Sequence, residues 1–129
     1  MIKKKFIIGI LFALILVAIV IGVNLTKATR KVDALLLEDI KKINLTEIED
    51  NTYTGFYDAG LVKVEVEVEV VNNEITGIDL MKHTNGKGEP GEAVIENILE
   101  NQSLQVDTIA GATISSKAII KAVENALDK

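Results

Sequence analysis

The stretch that decides the fold of this 129-residue chain is 62–70, which reads VKVEVEVEV. Valine alternates with charged residues, and a period of two is that of a β-strand with one buried and one solvated face. Asn72 and Asn73 then predict a hairpin turn into a returning strand at 75–81. The aromatic segment 53–57 predicts a further strand before it. We interpret the glutamates as the solvated face rather than a metal site, because nothing completes a coordination shell around them.

Two helices are predicted after the sheet. One is a short helix at 92–100, and the other carries small and apolar residues at helical spacing over 118–127. Strands and helices are therefore segregated along the chain instead of alternating. This order predicts an α+β fold, a small antiparallel sheet with packed helices, preceded by one N-terminal transmembrane helix.

The transmembrane prediction rests on residues 6–23, which are uncharged and overwhelmingly apolar. As a helix they would span about 27 Å, close to the thickness of the hydrocarbon layer. A cleaved signal peptide is the alternative, but its apolar region is usually shorter and ends at a small-x-small site, which is poor here. We therefore predict an anchor at 1–26, a juxtamembrane helical segment at 27–50 and a folded domain at 51–129. The apolar stripe over 32–45 fits either a stalk or a helix packed on the domain.

Charge is segregated along the chain. Residues 1–31 carry a net charge of +6, whereas the remainder has 8 basic and 19 acidic residues, a net charge of −11. Nucleic acid would repel such a domain, so we expect no nucleic-acid partner. The acidic surface fits either a basic partner or simple solubility. The chain has no cysteine and a single histidine, which excludes disulfides, thiolate metal sites and multi-histidine metal sites within one chain.

The segment 107–116, DTIAGATISS, directly precedes the last predicted helix. Taken alone, its hydroxyl and acidic residues read as ordinary helix capping. The start of a helix also exposes free backbone N–H groups at the positive end of its dipole, where phosphate binds well. Gly111 and Ala112 would let a bulky ligand approach the backbone, with the hydroxyl of Thr113 in the middle of the site.

This segment resembles the flavinylation motif of the FMN-binding domain family, which includes flavin subunits of sodium-pumping and Rnf-type membrane redox complexes and small membrane-anchored relatives. The family pattern is Asp, two variable residues, Ser or Thr, and Gly-Ala-Thr. Asp107 and residues 111–113 match it, and Ala110 departs from it at the Ser or Thr position. The resemblance extends back to about Tyr53. It implies that the domain at 51–129 binds FMN, attached through its phosphate to Thr113 by a flavin transferase.

The resemblance also implies roles for further residues. Asp107 would orient Thr113 or a metal ion during attachment, and His83 would lie near the flavin beside a glycine-rich loop. The expected cofactor-binding residues are Thr113, Ala112, Gly111, Asp107, Ser115, Ser116, His83, Gly86 and Gly88. We expect no catalytic residues and no resident metal.

The function implied by the resemblance is electron transport by a single-pass protein of the cell membrane, with its domain on the extracytoplasmic side. Its partners would be the membrane, the flavin transferase and a membrane redox partner, such as a quinone-linked dehydrogenase or redox complex. It would be an electron-transfer component rather than a stand-alone enzyme. The alternative is a membrane-anchored sensor or scaffold that binds FMN reversibly or not at all.

Overall fold

The computed structural model describes residues 3–84 and 88–128. Three strands form one antiparallel sheet in the order β1-β2-β3, and the helices complete an α+β fold, as predicted. The elements, in chain order, are α1 Lys4–Leu37, β1 Asn51–Asp58, β2 Lys63–Val71, β3 Glu74–Thr84, α2 Val94–Asn101 and α3 Thr113–Leu127, with short 3-10 turns at Leu45–Glu47 and Glu89–Ala93.

The core lies between the sheet and α3. All five valines of the alternating stretch 62–70 are buried, which confirms the face predicted from their period. On the α3 side, residues 118–120, Ala122, Val123, Ala126 and Leu127 are buried against them. The helix approaches β1 so closely at Gly55 that a Cβ built there would stand 1.9 Å from the carbonyl oxygen of Ala122. A glycine is therefore what allows α3 to lie on this strand.

Strands β2 and β3 are joined by the tight hairpin turn that Asn72 and Asn73 predict. Asn72 and Asn73 have φ values of 52° and 63°, the left-handed conformation that a tight two-residue turn requires. Strand β3 runs beyond the predicted end at residue 81 and includes His83.

Strand β3 contains two bulges that change which of its side chains face the core. Glu65 pairs with Lys82, whereas Val66 pairs with Leu80, so Met81 is an extra residue between them. A second shift leaves Thr76 extra in the same way. Each extra residue shifts by one position the alternation of β3 side chains between the two faces of the sheet. As a result His83 lies opposite the buried Val64, on the core face, and its side chain is only 3% exposed.

Helix α1 is long and apolar enough to cross a membrane, and its apolar window is not buried by the rest of the described chain. It ends at Leu37, so the helix predicted for 32–45 stops short. Residues 38–44, which we call the strap, lie along the surface of α3, and Ile40 and Ile43 pack against the core. The segment after the anchor is thus part of the domain rather than a free stalk.

The last turn of α1 and the strap run parallel to α3, and both form hydrogen bonds or ion pairs with one stripe of that helix. Working along both segments, the contacts are Lys117 Nζ to the Leu36 carbonyl at 3.0 Å, Lys121 Nζ to Glu38 at 3.1 Å, the Lys41 N–H to Glu124 at 2.8 Å, and Lys41 Nζ to Asp128. These contacts hold the end of α1 beside the first half of α3.

Helix α1 also contacts the turn between β1 and β2. Lys31 forms an ion pair with Asp58 at 2.7 Å, and a Cβ built on Gly60 would stand 2.7 Å from the Ala28 carbonyl oxygen. Leu35 is fully buried in the domain. The domain is therefore packed directly against the part of α1 that follows the apolar run.

Candidate cofactor site

The segment before α3 is tied to the core by its apolar residues. Leu104 is buried, and Val106 and Ile109 pack partly against the core. The chain then turns at Gly111, whose φ of +78° suits glycine, and a Cβ built there meets no described atom within 4 Å. Thr113 follows as the first residue of α3, and it is exposed. The turn thus presents a threonine hydroxyl next to open space.

Ser116 holds this turn in place. Its hydroxyl oxygen accepts a hydrogen bond from the Ile109 N–H at 3.1 Å and donates to the Ala112 carbonyl at 2.8 Å. The side chain is fully buried. Ser116 is among the expected cofactor-binding residues, and in the structure its hydroxyl forms hydrogen bonds within the turn.

The start of α3 carries no side-chain cap among the described residues. The capping position is Ala112, which has no side-chain acceptor, with φ −136° and ψ 40°. The backbone N–H groups of the first turn of a helix have no partner inside the helix. Plain capping, the simplest interpretation of the segment's polar residues, is therefore wrong for this helix start. An anion is the natural partner for these N–H groups.

A second segment closes on the start of α3 from the end of β3. A Cβ built on Gly91 would lie 2.9 Å from both the Cβ of Ser115 and the backbone nitrogen of Ser116. Gly88 begins this 3-10 turn and accepts a hydrogen bond from the Gly91 N–H at 2.9 Å. Gly86 lies outside the described residues. The 3-10 turn that contains Gly91 and the turn before Thr113 are therefore neighbours, although 21 residues lie between Gly91 and Thr113 in the sequence.

His83 is linked to this second segment through Glu92. Its Nδ1 lies 2.8 Å from a carboxylate oxygen of Glu92, next to Gly91 in the chain. Sequence reasoning missed both Gly91 and Glu92. The Pro-Gly pair at 90–91 marked a turn, but nothing in the sequence told which helix that turn would touch.

Asp107 is exposed and lies in a shallow polar groove with Asn97, Asn101 and Gln105. Its carboxylate is thus accessible from solvent.

Two lysines follow Thr113 on the strap side of α3. Lys117 lies one turn further along and donates to the Leu36 carbonyl, as described above. Lys121 is nearly buried, and burial alone would lower the pKa of its ammonium group. Its hydrogen bonds to Glu124 and Glu38 outweigh that effect and raise the pKa above its ordinary value. Lys121 therefore stays charged and holds the strap on the helix.

This geometry defines an α+β domain with an open, uncapped helix start suited to a phosphate group. The chain belongs to the FMN-binding domain family, whose sequence profile it matches over residues 59–128. Its cofactor is accordingly FMN, and the prediction of that family and cofactor is confirmed. The described residues fit this cofactor, because none of their side chains caps the first turn of α3 and none of their atoms fills the space beside Gly111, so both are open to its phosphate.

A curated relative is the NADH:acrylate oxidoreductase of Vibrio harveyi. It is 33% identical over 101 residues, which cover 74% of this chain and 10% of that protein. The chain thus spans about a tenth of the length of the relative. Seventy-four per cent of 129 residues is about 95, so the matched span begins no later than about residue 35. The strap is therefore inside the region that the two proteins share.

Proposed function

We propose that this chain is a membrane-anchored electron carrier with its domain on the extracytoplasmic side, and that Thr113 carries the FMN through a phosphoester bond. The observation that carries the proposal is the position of Thr113: it is exposed, it opens α3, and it follows a glycine turn into open space. A phosphate on its oxygen would lie at the uncapped start of the helix, where backbone N–H groups and the helix dipole stabilise negative charge.

The surrounding residues support binding in different ways. Gly111, Ala112 and Ser115 form the turn and the first helical residues around the phosphate, and Ser116 fixes that turn through its hydroxyl. Asp107 is the accessible carboxylate that a flavin transferase would use to orient Thr113 during attachment. His83 and Gly88 belong to the segment that closes on the other side, where the ribityl chain or the ring would lie.

When bound, FMN supplies one- and two-electron chemistry, and the protein supplies its position and environment. The residues of this chain hold the phosphate, and the packing of Gly91 on Ser115 keeps the second segment close to it. The relative is named as an oxidoreductase, which supports a role in electron transfer for the shared region. We expect the partner to be a membrane redox protein, such as a quinone-linked dehydrogenase or a redox complex.

We also propose a boundary of the FMN-binding domain that differs from the predicted one. We place the start of the FMN-binding domain near Leu35 rather than at residue 51, because Leu35 is buried in it and the strap is bonded along α3. The anchor stays at the predicted 1–26, and the continuous helix α1 joins it to the domain.

The test is expression of the full chain together with a flavin transferase, followed by denaturing electrophoresis and detection of flavin fluorescence on the protein band. We expect fluorescence on the wild-type band and on Thr108→Ala, a matched change of a threonine in the same segment. Thr113→Ala should be dark, and Thr113→Ser should recover part of the signal because a hydroxyl is restored.

A dark wild-type band, with the intact mass of the unmodified chain, would overturn covalent attachment. Titration of that protein with free FMN would then separate reversible binding from a scaffold without flavin. Fluorescence that persists in Thr113→Ala would assign the bond to another residue.

A further inference from the structure

We propose that the turn between β1 and β2, with Leu61 at its tip, is a second membrane contact that seats the cofactor end of the domain on the lipid headgroup layer. This inference rests on the membrane anchoring proposed above, and it adds a surface and an orientation. The occupant of the surface is the lipid interface itself, not another protein.

The first argument is the position of the turn along α1. The apolar run ends at Val23, and Ala28 lies five residues later, about 7.5 Å further along the helix axis. The headgroup layer on each side of the hydrocarbon core is about 5 to 7 Å thick. Gly60 packs against Ala28, so its neighbour Leu61 is held at the level where the headgroup layer meets water.

The second argument is that this tip is rigid and apolar. The Ala59 N–H donates to the Val62 carbonyl at 2.8 Å, which closes the turn, and Asp58 accepts from the Gly60 N–H at 2.8 Å. Leu61 is nevertheless 60% exposed. Because Gly60 packs on Ala28, this turn holds the Leu61 side chain beside the anchor, where an apolar side chain is stabilised by burial at the boundary of the headgroups and acyl chains.

The third argument is local charge. Although the domain is acidic, the exposed residues beside the tip include Lys27, Arg30 and Lys63. Asp58, which belongs to the same turn, is already paired with Lys31, and Asp33 lies further along α1. Basic residues close to a bilayer surface attract anionic lipid headgroups. Charge and apolar surface therefore point to the same partner.

The consequence is an orientation of the flavin. Lys63 pairs with Thr84, so the end of β3 lies at the same end of the sheet as the turn, and the 3-10 segment at Glu89–Ala93 is linked to it through His83 and Glu92. The start of α3 contacts Gly91 in that segment, whereas its far end, Leu127, shares a groove with Asn51 and Tyr53 at the opposite end of β1. The cofactor thus faces the membrane, and the redox partner that this geometry fits is embedded in the bilayer.

The chain has no native cysteine, so a single introduced cysteine gives one labelling site. We would label full-length Leu61→Cys and Asn73→Cys with a fluorophore and reconstitute each into vesicles of phosphatidylcholine and phosphatidylglycerol. The vesicles would contain nitroxide-labelled headgroups and no other protein. Residue 73 is the matched control, because it lies in the hairpin at the other end of β2. The nine residues of β2 place it about 30 Å from the turn that contains residue 61.

We expect the label at residue 61 to be quenched strongly by the headgroup nitroxides, and the label at 73 to be quenched little. Equal quenching in chains that float with the vesicles would overturn the membrane contact and leave the anchoring intact. A chain that does not float with the vesicles would overturn this inference together with the anchoring, while flavin attachment at Thr113 is measured separately.

Discussion

Replacing Gly55 by alanine tests the way the domain is packed. The added Cβ would stand 1.9 Å from the Ala122 carbonyl oxygen, 2.7 Å from the Ala126 nitrogen and 2.8 Å from the Ala126 Cβ. Two of these atoms belong to the helix backbone, so no side-chain rotation relieves the clash. Helix α3 must move away from β1 by about 1.5 Å to bring the closest of these atoms to an ordinary contact distance.

The cost of that movement follows from the contacts it loosens. A gap of 0.5 to 1 Å forfeits about a quarter to a half of each dispersion contact, and α3 buries most of its residues against the sheet. Overpacking of cores costs about 1 to 3 kcal/mol, and a backbone clash belongs at the upper end of that range. At about 3 kcal/mol, the midpoint of thermal unfolding should fall by roughly 12 to 24 °C for a domain of this size.

The assay is urea and thermal unfolding of the full chain in detergent micelles, followed by the fluorescence of its two tyrosines, which lie in β1. Gly77→Ala is the matched control, because Gly77 is also in a strand and its built Cβ meets Glu69 only at 3.8 Å and beyond. We expect the control to change stability by less than about 1 kcal/mol. A loss in Gly55→Ala no greater than in Gly77→Ala would refute the close approach of α3 to β1.

Three further predictions follow from individual contacts. Ser116→Ala should destabilise the domain by about 1 to 3 kcal/mol in urea unfolding, because the partly buried Ile109 N–H loses its acceptor. Ser115→Ala should cost less. Glu124→Gln should lower the free energy of unfolding by about 2 kcal/mol in the same assay, because this carboxylate is 2% exposed and accepts hydrogen bonds from Lys121 and from the Lys41 N–H of the strap. The control, Glu100→Gln, lies on the exposed end of α2 and should leave the stability unchanged. The hydrogen bond from Lys31 lowers the pKa of Asp58, and the Gly60 N–H lowers it further. The ionised carboxylate of Asp58 therefore stabilises the fold above about pH 4, its ordinary pKa. This stabilisation is lost as the pH falls through the lowered pKa. Lys31→Gln should raise the pKa of Asp58 toward its ordinary value in an NMR titration, with a change in stability below about 1 kcal/mol.

The sequence by itself determined the sheet and the anchor, because both depend on short-range periodicity. The alternation over 62–70 fixed a strand with a buried valine face, and two asparagines fixed the hairpin that follows it. The uncharged run at 6–23 predicted a helix that is long and apolar enough to cross a membrane, and α1 has this length and composition. The resemblance of residues 107–116 to the flavinylation motif gave the family and the cofactor, which the match over 59–128 confirms.

Tertiary structure decided what surrounds the site. Two extra residues in β3 turn His83 to the core face, and alternation along the strand alone gives no sign of such bulges. The approach of Gly91 to Ser115 joins segments that are distant in sequence, and only the crossing of α3 over the sheet brings them together. The strap, predicted to continue as a helix, leaves helical geometry at Leu37 because its backbone and side chains bond to the polar stripe of α3. These features depend on long-range contacts, whereas the periodicity of a sequence reports only which face of each element is buried.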